Sequence, residues 1–368
     1  MKFAQAVRLV CANHKSSTKQ TLFFLGPPGI GKSSIAYEAK RVLKETDLID
    51  VDVVVVDLSN ALPEDLNGLP KTEGEVMRFI PDEWLHRLCR PGAQAILVLD
   101  DLAAASSAIQ VATRQLALDR RIHNHILSDG VSIIVTGNRS TDGAKATQLP
   151  SHFRNSVLLI SIDPDFDAWV SWYRHQENVD RSIVSFLLFA KKFFSTVPQE
   201  ADKLGAFATP RSWSMLGRLL PQVVPLGDED ILRETVHGLV GTGPGVEYLA
   251  FRSMQNDTVD IQDFLRDPKR TLPAPSDLER SYLIAICSAA VTRVVEGKGS
   301  DDYDKLVYAM AHVATDKRDL FAYAFQLAES LGGKEARQRF SFAVSRVAKQ
   351  DKSVLSLVKT ISDLLGQF

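Results

Sequence analysis

Cysteine is scarce. Only Cys11, Cys89 and Cys287 occur in 368 residues, far apart and odd in number. That spacing excludes a disulfide-stapled scaffold and offers no paired zinc ligands. Long apolar runs are missing too: none approaches the roughly 18 residues of a membrane-spanning helix, and the best candidate, Val51 to Leu58, is interrupted by Asp52. No charge of one sign dominates, since 43 Lys and Arg face 45 Asp and Glu for a net charge of −2. This excludes a broadly basic nucleic-acid coat protein, though not a local basic ring. The first residues lack a signal-peptide layout, so the expectation is a cytoplasmic protein without membrane insertion. No internal repeat or low-complexity tract is visible. What is present is an ordinary globular composition, 45% apolar and 24% charged, in a length suited to two domains or three.

Short β-branched or aromatic runs alternate with helical periodicity over the first 163 residues. Residues 3–12 read as an amphipathic helix and Thr21 to Leu25 as a strand, followed by a glycine-rich turn and a helix from about Ser33 to Lys44. Val51 to Leu58 is almost wholly apolar, as expected of a parallel strand covered on both faces. Residues 63–81, rich in Pro, Gly and charge, read as an excursion from the sheet. Further strands are expected at 95–99, 131–136 and 157–162, with a helix at about 106–118 between the first two. Strands alternating with helices predict α/β with a parallel sheet. Past about Asp163 the pattern turns helical, with breaks at Pro210, Gly241 to Gly245 and Pro273 to Pro275.

Gly26-Pro27-Pro28-Gly29-Ile30-Gly31-Lys32-Ser33 fits G-x-x-x-x-G-K-[ST] and lies between a predicted strand and a predicted helix. The glycines let backbone N–H groups curl around phosphate oxygens at a helix N-terminus. Lys32 would reach the β- and γ-phosphates, and the Ser33 hydroxyl would ligate Mg²⁺. Such a metal needs a second anchor, and Asp100, at the end of the third apolar strand, suits it. Asp101 would polarise an attacking water, and Asn138 would orient that water or contact the γ-phosphate. Arg211, which begins a helix of the second region, would reach the nucleotide with its guanidinium.

Together, GPPGIGKSS (26–34, including Ser34), ILVLDD (96–101), VTGN (135–138), LPSHFR (149–154) and ATPRSW (208–213) resemble the AAA+ ATPases. DLNGLP (65–70), LALDRRI (116–122) and VGTGPGVEYLAF (240–251) narrow the resemblance to the MoxR-like, dynein-related branch of phages and bacteria. It covers residues 1–270 well and the C-terminal helices loosely. It implies a three-layer αβα P-loop core (1–163), a helical lid (164–275) and a C-terminal helical extension on the lid (276–368). It also implies ATP and Mg²⁺ as cofactors, a homo-oligomeric ring, usually a hexamer, and a protein client such as a von Willebrand A domain partner. Gly26 to Ser33 then correspond to Walker A, Ile96 to Asp101 to Walker B, Asn138 to sensor 1 and Arg211 to sensor 2. The stretch 63–81 corresponds to a helix-2 insert and Arg120 to Gly130 to a β-hairpin ahead of sensor 1. Two departures stand out. Asp101 replaces the usual Glu, and its carboxylate sits roughly 1–1.5 Å further from the water, a displacement that can cost about 10²-fold in rate. Ser156 stands where the arginine finger is expected, with Arg154 two residues earlier and Arg120, Arg121 or Arg139 as substitutes; such a finger is worth about 10³–10⁵ in rate. Nucleotide binding is therefore a firmer expectation than fast turnover.

Other features carry less. His123 and His125 have no Cys or carboxylate partner at ligand spacing and suit an exposed hairpin face. Trp169, Trp172 and Tyr173 have the helical spacing of packing residues. Lys191-Lys192 reads as solvated surface, and Gly241-x-Gly243-x-Gly245 as a turn between helices. The leading expectation is an ATP-driven ring that remodels a protein partner. A nucleotide-gated scaffold with little hydrolysis and a nucleic-acid translocase or loader are the alternatives, the last resting on Arg78, Arg120, Arg121 and His123.

Overall fold

The computed structural model describes residues 1–139, 151–196, 205–256, 259–297, 302–314, 317–351 and 354. They fall in two compact units, Met1–Asp165 and Phe166–Thr196 with Leu204–Phe368.

The first unit runs α1 (Phe3–Lys15), β1 (Leu22–Leu25), α2 (Ser34–Asp47), β2 (Asp52–Asp57), α3 (Pro63–Asn67), β3 (Leu69–Glu73), β4 (Val76–Ile80), α4 (Glu83–Leu88), β5 (Ala95–Asp100), α5 (Ser107–Asp119), β6 (Arg121–Ile122), β7 (His125–Ile126), β8 (Val131–Gly137), α6 (Ser151–Arg154) and β9 (Leu158–Ser161). Five strands form a parallel sheet in the order β2-β5-β8-β1-β9. Side chains alternate across it, as a strand's period of two requires. Phe23, Leu97, Leu99, Ile133 and Val135 pack one face with Leu85, Ile109 and Leu116 of α4 and α5. Leu22, Phe24, Ile96, Val98 and Ile134 pack the other with α1 and α2. The result is a three-layer αβα core.

One expectation needs correction. β2 is an edge strand and not a covered one: only Val54 of it is buried, and Val55 is exposed. Its valines are β-branched, but an edge position leaves part of each face without a helix above it. The stretch 63–81 does leave the main sheet, as a short helix followed by a separate antiparallel hairpin, β3–β4, with Lys71 opposite Arg78. The β6–β7 hairpin packs against it. His123 stacks on the Phe79 ring with centroids 4.1 Å apart, and His125 Nε2 lies 3.0 Å from the Phe79 carbonyl.

The second unit is helical: α7 (Phe166–Tyr173), α8 (Ser182–Phe189), α9 (Pro210–Val223), α10 (Glu229–Val240), α11 (Thr242–Asn256), α12 (Ile261–Arg266), α13 (Pro268–Thr271), α14 (Arg280–Gly297), α15 (Asp302–Val313) and α16 (Asp319–Gln350), the last kinked at Gly333. One continuous apolar core runs from Phe166 to Val354. α14 is buried on most of its circumference, as a central helix should be. Trp169 and Tyr173 join this core, whereas Trp172 is exposed beside Arg218. The glycine-rich break is shorter than expected: Gly241, at φ 85°, ends α10, and Gly243 and Gly245 already belong to α11. Arg252 of α11 donates to Asp180 at 2.7 Å and is shared with Ser182 and Tyr248. Among the described residues, no helix is long and apolar enough to cross a membrane.

Candidate nucleotide site

The strand order brings three chain segments together. β8 lies between β1 and β5, and all three run parallel. The carboxyl ends of these strands therefore present the glycine loop after Leu25, Asp100-Asp101 after Leu99, and Asn138 after Gly137 side by side. Strands visited after β1 lie on one side of it until β9 returns to the other. Crevices at such reversals, outside the carboxyl ends, are where open α/β sheets bind ligands.

The loop owes its shape to its glycines. Gly29 and Gly31 have φ of 74° and 90°, in the region where side chains are strained. A Cβ on Gly26 would stand 2.4 Å from the Ile162 carbonyl oxygen, so that position admits glycine alone without a backbone shift. Ser33 and Ser34 open the 14-residue helix α2, whose first N–H groups face the loop side.

Lys32 Nζ donates to the carbonyls of Gly26 and Pro27 and to Asn138 Oδ1, each at 2.8 Å. Asn138 Nδ2 in turn donates to Asp101 Oδ1 at 3.2 Å. Ser33 Oγ donates to Asp100 Oδ1 at 2.7 Å, and the Thr136 hydroxyl donates to the same oxygen. Lys32, Ser33, Asp100, Asp101 and Asn138 thus form one constellation. Burial pushes the Asp101 carboxyl up; Lys32 pulls it back, and Asp100 and Asp57 add to the rise. Asp101 adopts φ 56°, ψ 48°, a left-handed conformation unusual for a residue with a side chain.

This donor set fits Mg·ATP. A lysine ammonium and a helix N-terminus suit phosphate oxygens. A serine hydroxyl hydrogen-bonded to a carboxylate supplies the hard oxygen pair that Mg²⁺ prefers while keeping several waters.

Two residues of the site are not evident from the sequence. Thr136, buried in β8, accepts the Asp101 N–H at 3.0 Å. Its one local signal is a hydroxyl inside the apolar run Val131 to Gly137. Asp57, at the end of β2 and in register with Asp100, is the second; hydrogen bonds from Ser59 and Asn60 hold its carboxyl below the usual range. Its signal is the one that marks Asp100, an acid closing an apolar strand.

The arginines separate into two groups. Arg120 is half-buried and donates to the carbonyls of Ser128 and Val131, closing the base of the β6–β7 hairpin. Arg139 binds the Ile162 carbonyl at 2.7 Å and Asp163 at 2.9 Å. Both are therefore engaged in holding the fold. Arg121 and Arg154 are exposed, the latter beside Phe153, which is buried against Phe23. Leu149 and Pro150 of the LPSHFR motif lie outside the described residues. Arg211 belongs to the second unit, exposed in the first turn of α9, where Thr209 caps the helix through Ser212 N–H.

One family model covers the segments that build this site. Residues 21–151 match the family described as AAA domain (dynein-related subfamily). No curated protein matches the chain. Among solved structures, a RuvB point mutant of Thermotoga maritima is 12% identical over 76% of this chain and 84% of its own, with a TM-score of 0.38. Cdc6p of Pyrobaculum aerophilum is 12% identical over 97% and 93%, with a TM-score of 0.41. A protein described as an ATPase from Cytophaga hutchinsonii is 12% identical over 73% and 89%, with a TM-score of 0.33. Likenesses this distant say nothing of activity. The family match spans the loop, the acidic strand end and the Asn138 strand, the same segments that the parallel sheet gathers, so residues 21–151 resemble an AAA domain.

Proposed function

We propose that this chain is a MoxR-like AAA+ ATPase that binds Mg·ATP, hydrolyses it slowly and works as a homo-oligomeric ring on a protein client. The observation that carries the reading is the unbroken hydrogen-bonded path Lys32–Asn138–Asp101 beside the Ser33–Asp100 pair.

In this reading Gly26 to Ser34 wrap the phosphates, with Lys32 moving from the loop carbonyls to the β- and γ-phosphates. Ser33 and Asp100 would hold the metal, which when bound would supply positive charge for the transferred phosphoryl group. Asp101 accepts a proton from the attacking water, and Asn138 fixes the position of both. The left-handed backbone and half-buried setting of Asp101 leave it little freedom to reach, so the missing methylene is not recovered by movement. Arg154 is the arginine offered to a neighbouring subunit's nucleotide, and Arg211 the one contributed by the helical region. A hexameric ring and a client with a von Willebrand A domain are the expectations for assembly. The near-neutral net charge favours a protein client over bulk nucleic acid.

Native mass at micromolar protein, with and without Mg·ATP, tests the assembly. A closed oligomer formed with Mg·ATP by the wild type and not by Lys32→Ala is the expected result. A monomer under every condition would refute the ring.

A further inference from the structure

We propose that Thr136 is the positioning residue that sets both acidic side chains of the site, acting through one hydroxyl. The inference rests on the ATPase reading above.

A threonine hydroxyl has one hydrogen to give and two lone pairs to receive. Here the hydrogen goes to Asp100 Oδ1, and a lone pair takes the Asp101 N–H at 3.0 Å. The first bond turns the carboxylate of Asp100 toward Ser33, whose hydroxyl donates to the same oxygen. The second fixes the peptide that enters Asp101, at the point where the chain turns to φ 56°. The strand ladder does not reach that N–H, because β5 ends at Asp100 and its pairing with β8 ends at Leu99 and Val135. The threonine side chain takes over where the sheet's own hydrogen bonds stop.

Thr136 suits the task for a further reason. It is fully buried in a covered strand, where a β-branched side chain is restricted in its rotamers. The hydroxyl is thus aimed by the backbone of β8, the same strand that leads to Asn138 two residues on. The water-facing acid, the metal-facing acid and the sensor amide therefore take their positions from a single strand end.

Thr136→Val keeps the shape and removes the hydroxyl, and Thr136→Ser keeps the hydroxyl. Two readouts are compared: exchange of the Asp101 amide hydrogen in the nucleotide-free protein, and steady-state ATP turnover, with Lys32→Ala as control. In the valine variant the Asp101 amide should exchange faster than in wild type, kcat should fall by about 10²-fold as expected for an acid displaced by about 1 Å, and the half-saturating Mg²⁺ concentration should rise. The serine variant should restore most of each. Thr136→Ala takes the place of the valine variant if the latter does not fold. Asp101 amide exchange unchanged by removal of the hydroxyl, or a serine variant no better than valine, would overturn the proposal. If wild-type turnover is absent or insensitive to Lys32→Ala, the ATPase reading fails, while the amide exchange still reports on the bridge.

Discussion

Lengthening Asp101 by one methylene is the sharpest perturbation the site allows. Its backbone is fixed by the Thr136 bond and by the left-handed conformation, and its Oδ1 meets Asn138 Nδ2 at 3.2 Å. In Asp101→Glu the added carbon cannot be absorbed by the main chain, so the carboxylate advances by roughly 1–1.5 Å from a fixed Cα. A displacement of that order changes rates by about 10²-fold, equivalent to about 2.7 kcal/mol of barrier. The direction follows from the chemistry: an acid too short to reach the water gains by extension, and Asn138 can follow it through its own rotamers. Phosphate release under saturating Mg·ATP should therefore rise by about two orders of magnitude. ATP affinity, set by Lys32 and the loop, should stay within a few-fold of wild type. Turnover that is unchanged or lower, with ATP binding intact, would refute the argument that Asp101 limits the rate by its length.

Because burial raises the Asp101 carboxyl in the nucleotide-free protein, the acid limb of kcat/KM against pH should lie above the ordinary aspartate value of about 4; Asp57→Asn removes a neighbouring negative charge and should shift that limb to lower pH. The sign for stability is the reverse of a salt-bridged acid: this group favours the fold most below its unfolded pKa, and the contribution is lost as pH rises through the raised value. Asp101→Asn should accordingly flatten that decline in a denaturation series across acidic pH. In the helical unit, Arg252→Ala leaves Asp180 without its 2.7 Å partner, in a pair whose side chains are only 14% and 16% exposed. A loss at the lower end of the buried-pair range, about 3 kcal/mol, is expected by urea denaturation.

How much of this is legible in the sequence depends on whether local pattern or strand order decides the matter. The phosphate loop, the strand ending in Asp100 and the segment ending in Asn138 announce themselves locally, through glycine spacing and an apolar run with a polar end. Their meeting place is set by β8 lying between β1 and β5, which no local pattern encodes. The edge position of β2 is of the same kind: Val51 to Leu58 has the composition of a central strand, and only the sheet order strips the cover from it. Thr136 shows only as a hydroxyl in an apolar run, because its role is defined by an N–H just past the end of a neighbouring strand. Arg120 and Arg139 read as available cations in the sequence, but the hairpin base and the end of β9 claim them. The helix boundaries shift modestly, as with α2, which runs to Asp47 and stops where Leu48 turns left-handed.

The most direct test is Mg·ATP hydrolysis by the wild-type chain beside Lys32→Ala, with nucleotide affinity measured on both. The site predicts slow, Mg²⁺-dependent release of phosphate that the variant abolishes, together with a large loss of its ATP affinity. ATP binding and turnover equal in the two proteins would contradict it, because the lysine that joins the loop to Asn138 would then have no part in holding the nucleotide.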